Sequence, residues 1–249
     1  MMEHSSPVAS LPMYDFPELR EAHDRFWVAI RDNIHAEGVN APDSLSLGGE
    51  TMSHWTDAAL ILSQTCGLPY ARDLHGKVQL VGTPDYGVES CPPGYYHSAI
   101  VIRADDERET FADFASARFA VNSTGSQSGY KALTKALENI GSSLRIPQIT
   151  GSHENSALAV AEGREDVAAI DAVTFQHLCR YRSWTEKLRI LTHTPPTPGL
   201  PYICSLDAPR TTILNAVRQS IDALSIDDRE ALLIRGMVDI PASRYAAVL

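Results

Sequence analysis

Short apolar runs alternate with amphipathic stretches along most of this chain, and that alternation restricts its fold more than any other feature. The apolar run DVAAID at 166–171 is typical of a buried strand. The stretch at 17–38 has apolar residues at helical spacing, with Gly38 as a stop signal. Strand–helix alternation predicts an α/β fold whose sheets are mostly parallel and flanked by helices.

Strands and helices can be placed along the chain from this periodicity. The predicted strands are PVASLPMY ending at Met13–Tyr14, SLSL at 45–48, AALILS at 58–63, VQLVGTP at 78–84, YYHSAIVIRAD at 95–105, RFAVN at 118–122, PQIT at 147–150, DVAAID at 166–171 and LRILTHT at 188–194. The predicted helices cover 17–38, 109–117, 128–141, 154–163, 172–181, 209–224 and 227–237, so that the C-terminal region is mainly helical.

Two segments rich in proline and glycine interrupt the alternation, CPPGYY at 91–96 and PPTPGLP at 195–201. They predict two lobes: residues 1–97 with 200–249 form lobe 1, and the inserted residues 98–199 form lobe 2. The hinge segments are then near 95–100 and 195–201. A cleft between two lobes is a favoured ligand site.

Charge and cysteine spacing exclude several classes of site. A net charge of −10 argues against nucleic acid as the main partner but leaves a small anion open. Cys66, Cys91, Cys179 and Cys204 show no zinc-ligand spacing, and a Cys66–Cys91 disulfide would need an oxidising compartment. We therefore expect no metal and no cofactor.

The first residues, MMEHSSPVAS, lack the basic start and apolar core of a signal peptide, and no later stretch is apolar enough to span a membrane. Taken at face value, the sequence predicts a cytoplasmic protein.

The segment VNSTGSQSGY at 121–130 is the strongest candidate for a ligand site. It follows the strand RFAVN and begins the next helix, with Ser126 or Ser128 as N-cap and with Gly125 and Gly129 allowing close backbone approach. Hydroxyl groups, unpaired N–H groups and the positive helix end suit a phosphate-like anion. The alternative is a capped helix after a polar turn. The P-loop spacing and its lysine are missing.

Two further polar residues follow predicted strands. His153 could donate to an anion and would make binding sensitive to pH near neutrality, or it could be an exposed or capping residue. Asp171 is either a ligand contact or a cap for the next helix. Ser128, His153 and Asp171 lack both the G-x-S-x-G elbow and the chain order of α/β hydrolases, which argues against a catalytic triad.

Aromatic residues and one cysteine form a third group. Tyr14 ends the first predicted strand and Tyr95–Tyr96 stand at a hinge, where a tyrosine can cover a ligand and still donate its hydroxyl. Packing in the core or the hinge is the alternative for each. Cys66 begins a helix, where a thiolate would be stabilised, or it is simply a small buried residue.

Three segments together, NSTGSQSGY, TGSHENSALAVAEGREDVAAID and PPGYYHSAIVI, resemble the phosphate/phosphite/phosphonate-binding proteins of ABC transporters. The likeness extends more weakly from ASLPMYD to TPPTPGLPY, which is most of the chain. It implies a type II periplasmic-binding-protein fold with two α/β lobes. It further implies that Ser126, Gln127 and Ser128 cradle the phosphonate oxygens, that His153 contacts them, and that Tyr95 is the hinge tyrosine.

The sequence departs from this family in three ways. Gln127 stands where a hydroxyl residue is usual. Val173 and Leu200 occupy the positions at which binders of aminoalkylphosphonates carry acidic residues, so an ammonium group would lie there unpaired. Asp171 could compensate for the missing acidic residues by pairing with the ammonium group. Otherwise it could accept the O–H of a protonated oxyanion. The signal peptide of an exported protein is also missing; the resemblance predicts the periplasm if a leader has been lost.

We therefore expect a solute-binding protein, not an enzyme, that captures phosphate, phosphite or a phosphonate in an inter-lobe cleft. The resemblance and the residue chemistry predict these ligand contacts: Tyr14, Thr65 (with Gln64 as its alternative), Tyr95, Ser126, Gln127, Ser128, Gly129, His153 and Asp171. The expected state is a monomer, with an ABC permease as partner if the protein serves transport. The alternative is a cytoplasmic enzyme of cofactor biosynthesis, or a sensor, on the same fold.

Overall fold

The computed structural model of the protein describes residues 6–249. The N-terminal segment used to judge a leader therefore lies partly outside the described residues. The chain divides into two compact units. Unit 1 comprises the residues up to Glu89 together with Pro198–Leu249, and unit 2 comprises Ser90–Thr197.

Unit 1 is built on a five-stranded sheet. Its strands are β1 (Val8–Ser10), β2 (Leu60–Gln64), β3 (Val78–Asp85), β11 (Tyr202–Ser205) and β12 (Gly236–Val238), in the order β1-β2-β11-β3-β12. β1 and β2 are parallel, whereas β11 runs antiparallel to both β2 and β3. Every residue of β2 is buried, as expected for a central strand covered on both faces.

Within the described residues, unit 1 has six helices: α1 (Arg20–Ala36), α2 (Thr51–Trp55), α3 (Gly67–Pro69), α7 (Arg210–Asp222), α8 (Ile226–Leu232) and α9 (Ala242–Ala246). A 3-10 turn, Pro17–Leu19, precedes α1, and a π-helical turn, Tyr70–Leu74, follows α3. The helix predicted at 17–38 is confirmed. Phe26, Ile30 and Ile34 bury one face of α1, and Gly38 takes a left-handed φ of 74° just beyond its end.

Unit 2 is built on a second five-stranded sheet. Its strands are β5 (Ser98–Arg103), β6 (Phe119–Val121), β7 (Gln148–Ile149), β8 (Val167–Asp171) and β9 (Leu188–His193), in the order β7-β6-β8-β5-β9. β6 is parallel to β7 and β8, whereas β5 is antiparallel to β8 and β9. The short strands β4 (Tyr95–Tyr96) and β10 (Thr197–Pro198) lie where the chain passes from one unit to the other.

The helices of unit 2 are α4 (Ala132–Asn139), α5 (His153–Ala161) and α6 (Ala172–Tyr181). A π-helical turn, Gln127–Lys131, leads directly into α4, and 3-10 turns lie at Phe111–Phe114 and Ser183–Lys187. Ile100, Phe114, Leu133 and Val167 form part of a fully buried core between sheet and helices.

The predicted class, α/β with two helix-flanked sheets, is confirmed, but the expectation that the sheets are mostly parallel is wrong. Each sheet is mixed, because β5 and β11 run antiparallel to both of their neighbours. Each of these two strands is the first long strand after the chain enters its unit. The direction of such a strand depends on how the chain crosses between strands. Hydrophobic periodicity does not predict that topology.

Three predicted elements of unit 1 are wrong in detail. The first strand ends at Ser10 and does not reach Tyr14, because Pro12 cannot donate to the sheet. The segment 45–48 forms no strand, since Leu47 is exposed and Gly48 and Gly49 adopt left-handed backbone angles. The C-terminal region also contains strands β11 and β12 besides its helices.

Candidate functional site

In unit 2, three predicted polar segments lie at one edge of the sheet. β6 pairs in parallel with both β7 and β8, so the carboxyl ends of the three strands share that edge. The segments that follow β6 and β7 carry Ser126–Gly129 and His153, and Asp171 is the last residue of β8. The carboxyl edge of a sheet is where α/β proteins bind ligands. The topology therefore brings together residues that are up to 45 positions apart in the chain.

Ser126 is the cap of the turn that begins at Gln127. Its Oγ accepts a hydrogen bond from the backbone N–H of Gly129 at 3.0 Å, and its carbonyl accepts from Lys131 N–H at 3.1 Å. Of the two serines predicted as N-caps, Ser126 is the one used. Ser126, Gln127, Ser128 and Gly129 are all buried.

Ser128 and His153 are directly hydrogen-bonded. Ser128 Oγ lies 2.8 Å from His153 Nε2, and Ser98 Oγ donates to the Ser128 carbonyl at 2.9 Å. His153 Nδ1 is buried and makes no hydrogen bond of ordinary geometry within residues 6–249. Burial lowers the pKa of His153 to about 4, although the Ala169 carbonyl opposes the shift. The imidazole is consequently neutral near pH 7, which corrects the expectation of a group titrating near neutrality.

Asn122 is a member of this cluster that the sequence analysis did not select. A Cβ added to Gly129 would lie 1.9 Å from Asn122 Oδ1 and 3.3 Å from His153 Cε1, so only glycine fits at 129. Asn122 Oδ1 is itself buried without a hydrogen-bond partner in the described part of the chain. The one sequence feature that could have identified Asn122 as a site residue is its position at the end of a predicted strand.

Asp171 caps α6. Its Oδ1 accepts hydrogen bonds from the backbone N–H groups of Val173 at 2.9 Å and Thr174 at 3.0 Å, and the residue is buried. Of the two roles considered from sequence, the structure shows the cap. The carboxylate oxygen Oδ1 of Asp171 is thus bound by the first turn of α6.

The predicted contacts of unit 1 lie around the ends of its strands. Thr65 directly follows β2, is fully buried, and donates its N–H to the Pro201 carbonyl at 3.0 Å. Gln64, its alternative, donates Nε2–H to the Tyr86 hydroxyl at 3.0 Å and to the Leu200 carbonyl at 3.1 Å. Tyr14 lies in a turn with a φ of 61°, and its ring meets that of Tyr86 edge-on at 5.1 Å. Tyr86 was missed because nothing in its local pattern marks it.

Tyr95 and the cysteines complete the predicted set. Tyr95 is partly exposed in β4 and donates its N–H to the Pro92 carbonyl at 3.0 Å. All four cysteines are thiols, so Cys66 and Cys91 are not joined. Burial raises the pKa of Cys91 and raises that of Cys204 to about 12. These two thiols are therefore protonated at neutral pH.

Two kinds of feature are absent from residues 6–249, a metal cluster and a membrane-spanning helix. No group of three or more His, Cys, Asp or Glu side chains there could hold a metal ion. No helix of those residues combines the length and apolarity needed to cross a bilayer.

Several solved structures share this fold. PhnD1 from Prochlorococcus marinus, in complex with methylphosphonate, superposes with a TM-score of 0.75 at 13% identity over 98% of this chain and 96% of that chain. XAC2383 from Xanthomonas citri, bound to ATP, gives 0.71 at 15% identity over 98% and 95%. The binding-protein component of an ABC phosphonate transporter from Pseudomonas aeruginosa gives 0.62 at 16% identity over 91% and 78%. No curated protein matches in sequence.

A family model covers most of the chain. Residues 61–238 match the model of the ABC transporter phosphonate periplasmic substrate-binding protein, a range that includes Ser126–Gly129, which we call the serine turn, together with His153 and Asp171. The predicted family and the predicted type II binding-protein fold are thus confirmed. This chain belongs to the phosphonate periplasmic substrate-binding proteins of ABC transporters, and its role is solute binding for transport.

Proposed function

We propose that the solute is a small phosphorus oxyanion, namely phosphate, phosphite or a simple phosphonate, and that it binds at the serine turn of unit 2. The observation that carries the proposal is the Ser128–His153 pair, 2.8 Å apart at the carboxyl edge of three parallel strands. A hydroxyl and an imidazole held beside the first turn of a helix are suited to binding phosphorus oxygens.

The serine turn supports this ligand class through its shape and its donors. The first N–H groups of a helix have no intrahelical acceptor and carry a partial positive charge. Gly129 lets Asn122 pack directly against the serine turn, because any Cβ at position 129 would meet Asn122 Oδ1. His153 remains neutral at pH 7, so the proposed contacts are dipolar, as they are in other helix N-terminal anion sites.

Within unit 2, we propose that the Tyr95 hydroxyl and the Gln127 amide also donate to this ligand. Tyr14 and Thr65 of unit 1 stay predictions from the sequence. Asp171 already caps α6 through Oδ1. Since a carboxylate repels a dianion, its contact with the ligand would require a protonated P–OH group.

The proposed role is binding without catalysis. A histidine whose pKa is about 4 is a weak general base at neutral pH. The protein is proposed to act as a monomer with an ABC permease as its partner, as the family role implies.

The proposal includes discrimination against amino-substituted ligands. Val173 and Leu200 are buried apolar residues at the positions that, by the family resemblance, would have to pair with an ammonium group. Burying that group unpaired costs several kcal/mol. Methylphosphonate, the ligand in the Prochlorococcus marinus structure, lacks an ammonium group. ATP, the ligand in the Xanthomonas citri structure, serves as an example of a larger phosphorylated solute.

The test is calorimetric titration of the purified protein with phosphate, phosphite, methylphosphonate, 2-aminoethylphosphonate and ATP. We expect binding of at least one of the first three, and at least tenfold weaker binding of 2-aminoethylphosphonate than of methylphosphonate. Ser128→Ala and His153→Gln should each weaken binding by about 1.5–3 kcal/mol. Ser142→Ala is the matched control, because that hydroxyl bonds the Ala115 carbonyl elsewhere in unit 2. No heat with any of the three small anions at millimolar concentration rejects the proposal.

A further inference from the structure

The hydrogen bond between Ser128 and His153 has a direction, because a neutral imidazole donates from one ring nitrogen and accepts at the other. Ser128 Oγ lies 2.8 Å from His153 Nε2. If Nε2 carries the proton, Ser128 accepts it and can donate its own hydroxyl hydrogen to a ligand. If Nδ1 carries the proton, Ser128 donates to Nε2 and keeps only oxygen lone pairs for a ligand. The two tautomers therefore offer opposite groups to a solute.

The surroundings of His153 Nδ1 decide between these tautomers. Nδ1 is buried, and no group of residues 6–249 forms a hydrogen bond of ordinary geometry with it. The Ala169 carbonyl, in the middle of β8, acts on the ring as a hydrogen-bond acceptor, and it is left for Nδ1 because Nε2 faces Ser128. A bare nitrogen lone pair is repelled by a carbonyl oxygen, whereas an N–H group is attracted to it. Nδ1 therefore carries the proton, and Nε2 accepts from Ser128.

The ring keeps this state over the pH range in which phosphorus oxyanions change their charge. Burial lowers the pKa of His153 to about 4, so the imidazole stays neutral between about pH 5.5 and 8. The donor and acceptor positions of the Ser128–His153 pair are consequently fixed in that range. A change of affinity there reports on the ligand or on another group.

We propose that Ser128 Oγ accepts a hydrogen bond from the ligand, and that the site therefore selects the monoanion that keeps one P–O–H group. The hydrogen bonds then run from the ligand P–O–H to Ser128 Oγ, from the Ser128 hydroxyl to His153 Nε2, and from Nδ1–H towards the Ala169 carbonyl. His153 is a positioning residue, because it sets the direction of the Ser128 hydroxyl and need not touch the ligand. The inference rests on the proposed function, in which the serine turn binds a phosphorus oxyanion.

The rest of the serine turn supplies donors for the charged oxygens. Ser126 Oγ accepts the Gly129 N–H at 3.0 Å, so its own hydroxyl hydrogen can be donated to an oxyanion. The first N–H groups of the turn point the same partial charge at the ligand. A monoanion satisfies these donors and also the acceptor at Ser128. A dianion has no hydrogen to give, so it would leave the Ser128 oxygen facing another oxygen.

Charged groups on the neighbouring elements could also respond to pH. Glu154 follows His153 in α5 and is ion-paired with Arg182, with 2.5 Å between Oε1 and Nε. Lys131 lies at the end of the π-helical turn, and Asp171 ends β8 with its Oδ1 bound by the first turn of α6. Asp171 is the group among these that could also accept a P–O–H, so the experiment has to separate the two acceptors.

The tautomer is tested first, without ligand. Long-range proton–nitrogen NMR correlations of the histidine-labelled protein near neutral pH distinguish a protonated Nδ1 from a protonated Nε2. The signals of His153 are those that vanish in His153→Gln and move in Ser128→Ala. We expect a protonated Nδ1; a protonated Nε2 overturns the inference, whether or not any ligand binds.

The charge of the bound ligand is tested by calorimetric titration with methylphosphonate and phosphite between about pH 5.5 and 8.5. For each anion we expect affinity to fall about tenfold per pH unit above that anion's own second pKa, because only the protonated form binds tightly. The decline should begin at lower pH with phosphite, which is the stronger acid. Methyl methylphosphonate, a monoanion without a P–O–H group, should bind at least about tenfold more weakly than methylphosphonate near pH 6. An affinity that is constant or rises with pH overturns the inference.

Variants of the pair assign this pH profile to particular residues. His153→Phe keeps a ring but removes the acceptor, so the Ser128 hydroxyl can donate to the ligand; the decline should then be less than about threefold per pH unit. Ser128→Ala should flatten the profile in the same way, and Ser142→Ala, which lies elsewhere in unit 2, should keep it. A merely structural role of His153 would lower affinity by one factor at every pH, and that result overturns the inference.

The remaining outcomes separate this inference from the proposed function. A profile that is kept in Ser128→Ala but lost in Asp171→Asn assigns the P–O–H to the carboxylate and overturns the inference alone. If the wild-type protein binds none of the small phosphorus anions, the proposed function fails, and the inference fails with it.

Discussion

His153 illustrates how burial changes the chemistry of a single residue. An exposed imidazole titrates near neutrality, but this ring is held against Ser128 and the sheet, and its pKa falls to about 4. A neutral ring can present either a donor or an acceptor at Nε2, according to its tautomer. Ligand binding through His153 should therefore be insensitive to its titration between pH 5.5 and 8.

This lowered pKa predicts an acid-dependent loss of stability. The unfolded chain binds a proton at His153 below about pH 6.5, whereas the folded chain resists it until about pH 4. Stability contributed by the neutral ring is thus complete above pH 6.5 and is lost as pH falls towards 4, with an upper limit of about 3 kcal/mol. Urea unfolding at pH 7.5, 5.5 and 4.5 should show a shallower pH dependence in His153→Gln than in wild type. An equal dependence in both proteins contradicts the burial argument, and His193→Gln, at an exposed position, is the control.

Gly129 gives a second prediction at the scale of one residue. Gly129→Ala places a methyl group 1.9 Å from Asn122 Oδ1, so the serine turn must shift. We expect a loss of about 1–3 kcal/mol in stability and weaker anion binding, measured by denaturant unfolding and calorimetry. Asn122→Gly in the same chain should restore part of the stability by removing the clash. Gly236→Ala is the control, since a Cβ there meets nothing within 4 Å; a similar loss in that variant would refute the steric explanation.

At the scale of the element, Asp171 lies at the start of α6. Variants of Asp171 can distinguish its role as a helix cap from a role as a ligand contact. Its Oδ1 accepts two backbone N–H groups, which an asparagine side-chain oxygen can also do. Asp171→Ala should therefore cost about 1–2 kcal/mol in unfolding free energy, and Asp171→Asn much less. If the carboxylate also accepts a ligand P–OH, Asp171→Asn will alter the pH profile of phosphite affinity while sparing stability. An unchanged profile leaves the cap as its only role.

Elements with strong periodicity could be predicted from the sequence, and elements defined by topology could not. α1 and β8 bury continuous apolar faces, so their positions follow from local pattern. The segment 45–48 alternates like a strand, yet only its first residue, Leu45, is buried. β11 follows a proline-rich break and is too short to be recognised without knowing that β2 and β3 lie on either side of it.

The same distinction holds for the candidate site. Ser126–Gly129 could be selected because a strand end, a cap and a helix start coincide in one stretch of sequence. The pairing of Ser128 with His153 depends on β6 and β7 being neighbours, which the spacing of 25 residues does not reveal. Asn122 and Tyr86 were missed because their roles come from what packs against them: Gly129 against one and Tyr14 against the other.

For the whole molecule, net charge and ligand charge have the same sign. The chain carries 31 acidic and 21 basic side chains, giving −10 at pH 7. Long-range repulsion should slow the approach of an oxyanion, whereas the proposed dipolar contacts act only at short range. Salt screens the long-range repulsion between protein and oxyanion, with a Debye length of about 10 Å at 0.1 M. It leaves buried contacts largely unaffected.

The association rate of methylphosphonate should therefore rise with ionic strength. Between about 20 and 200 mM sodium gluconate we expect an increase of about twofold in stopped-flow measurements, with a dissociation rate that changes less. Ser128→Ala is the informative comparison, because it should raise the dissociation rate while keeping the same salt dependence of association. An association rate that falls with salt would mean that a local positive field outweighs the net charge, and would contradict a cradle built from neutral groups.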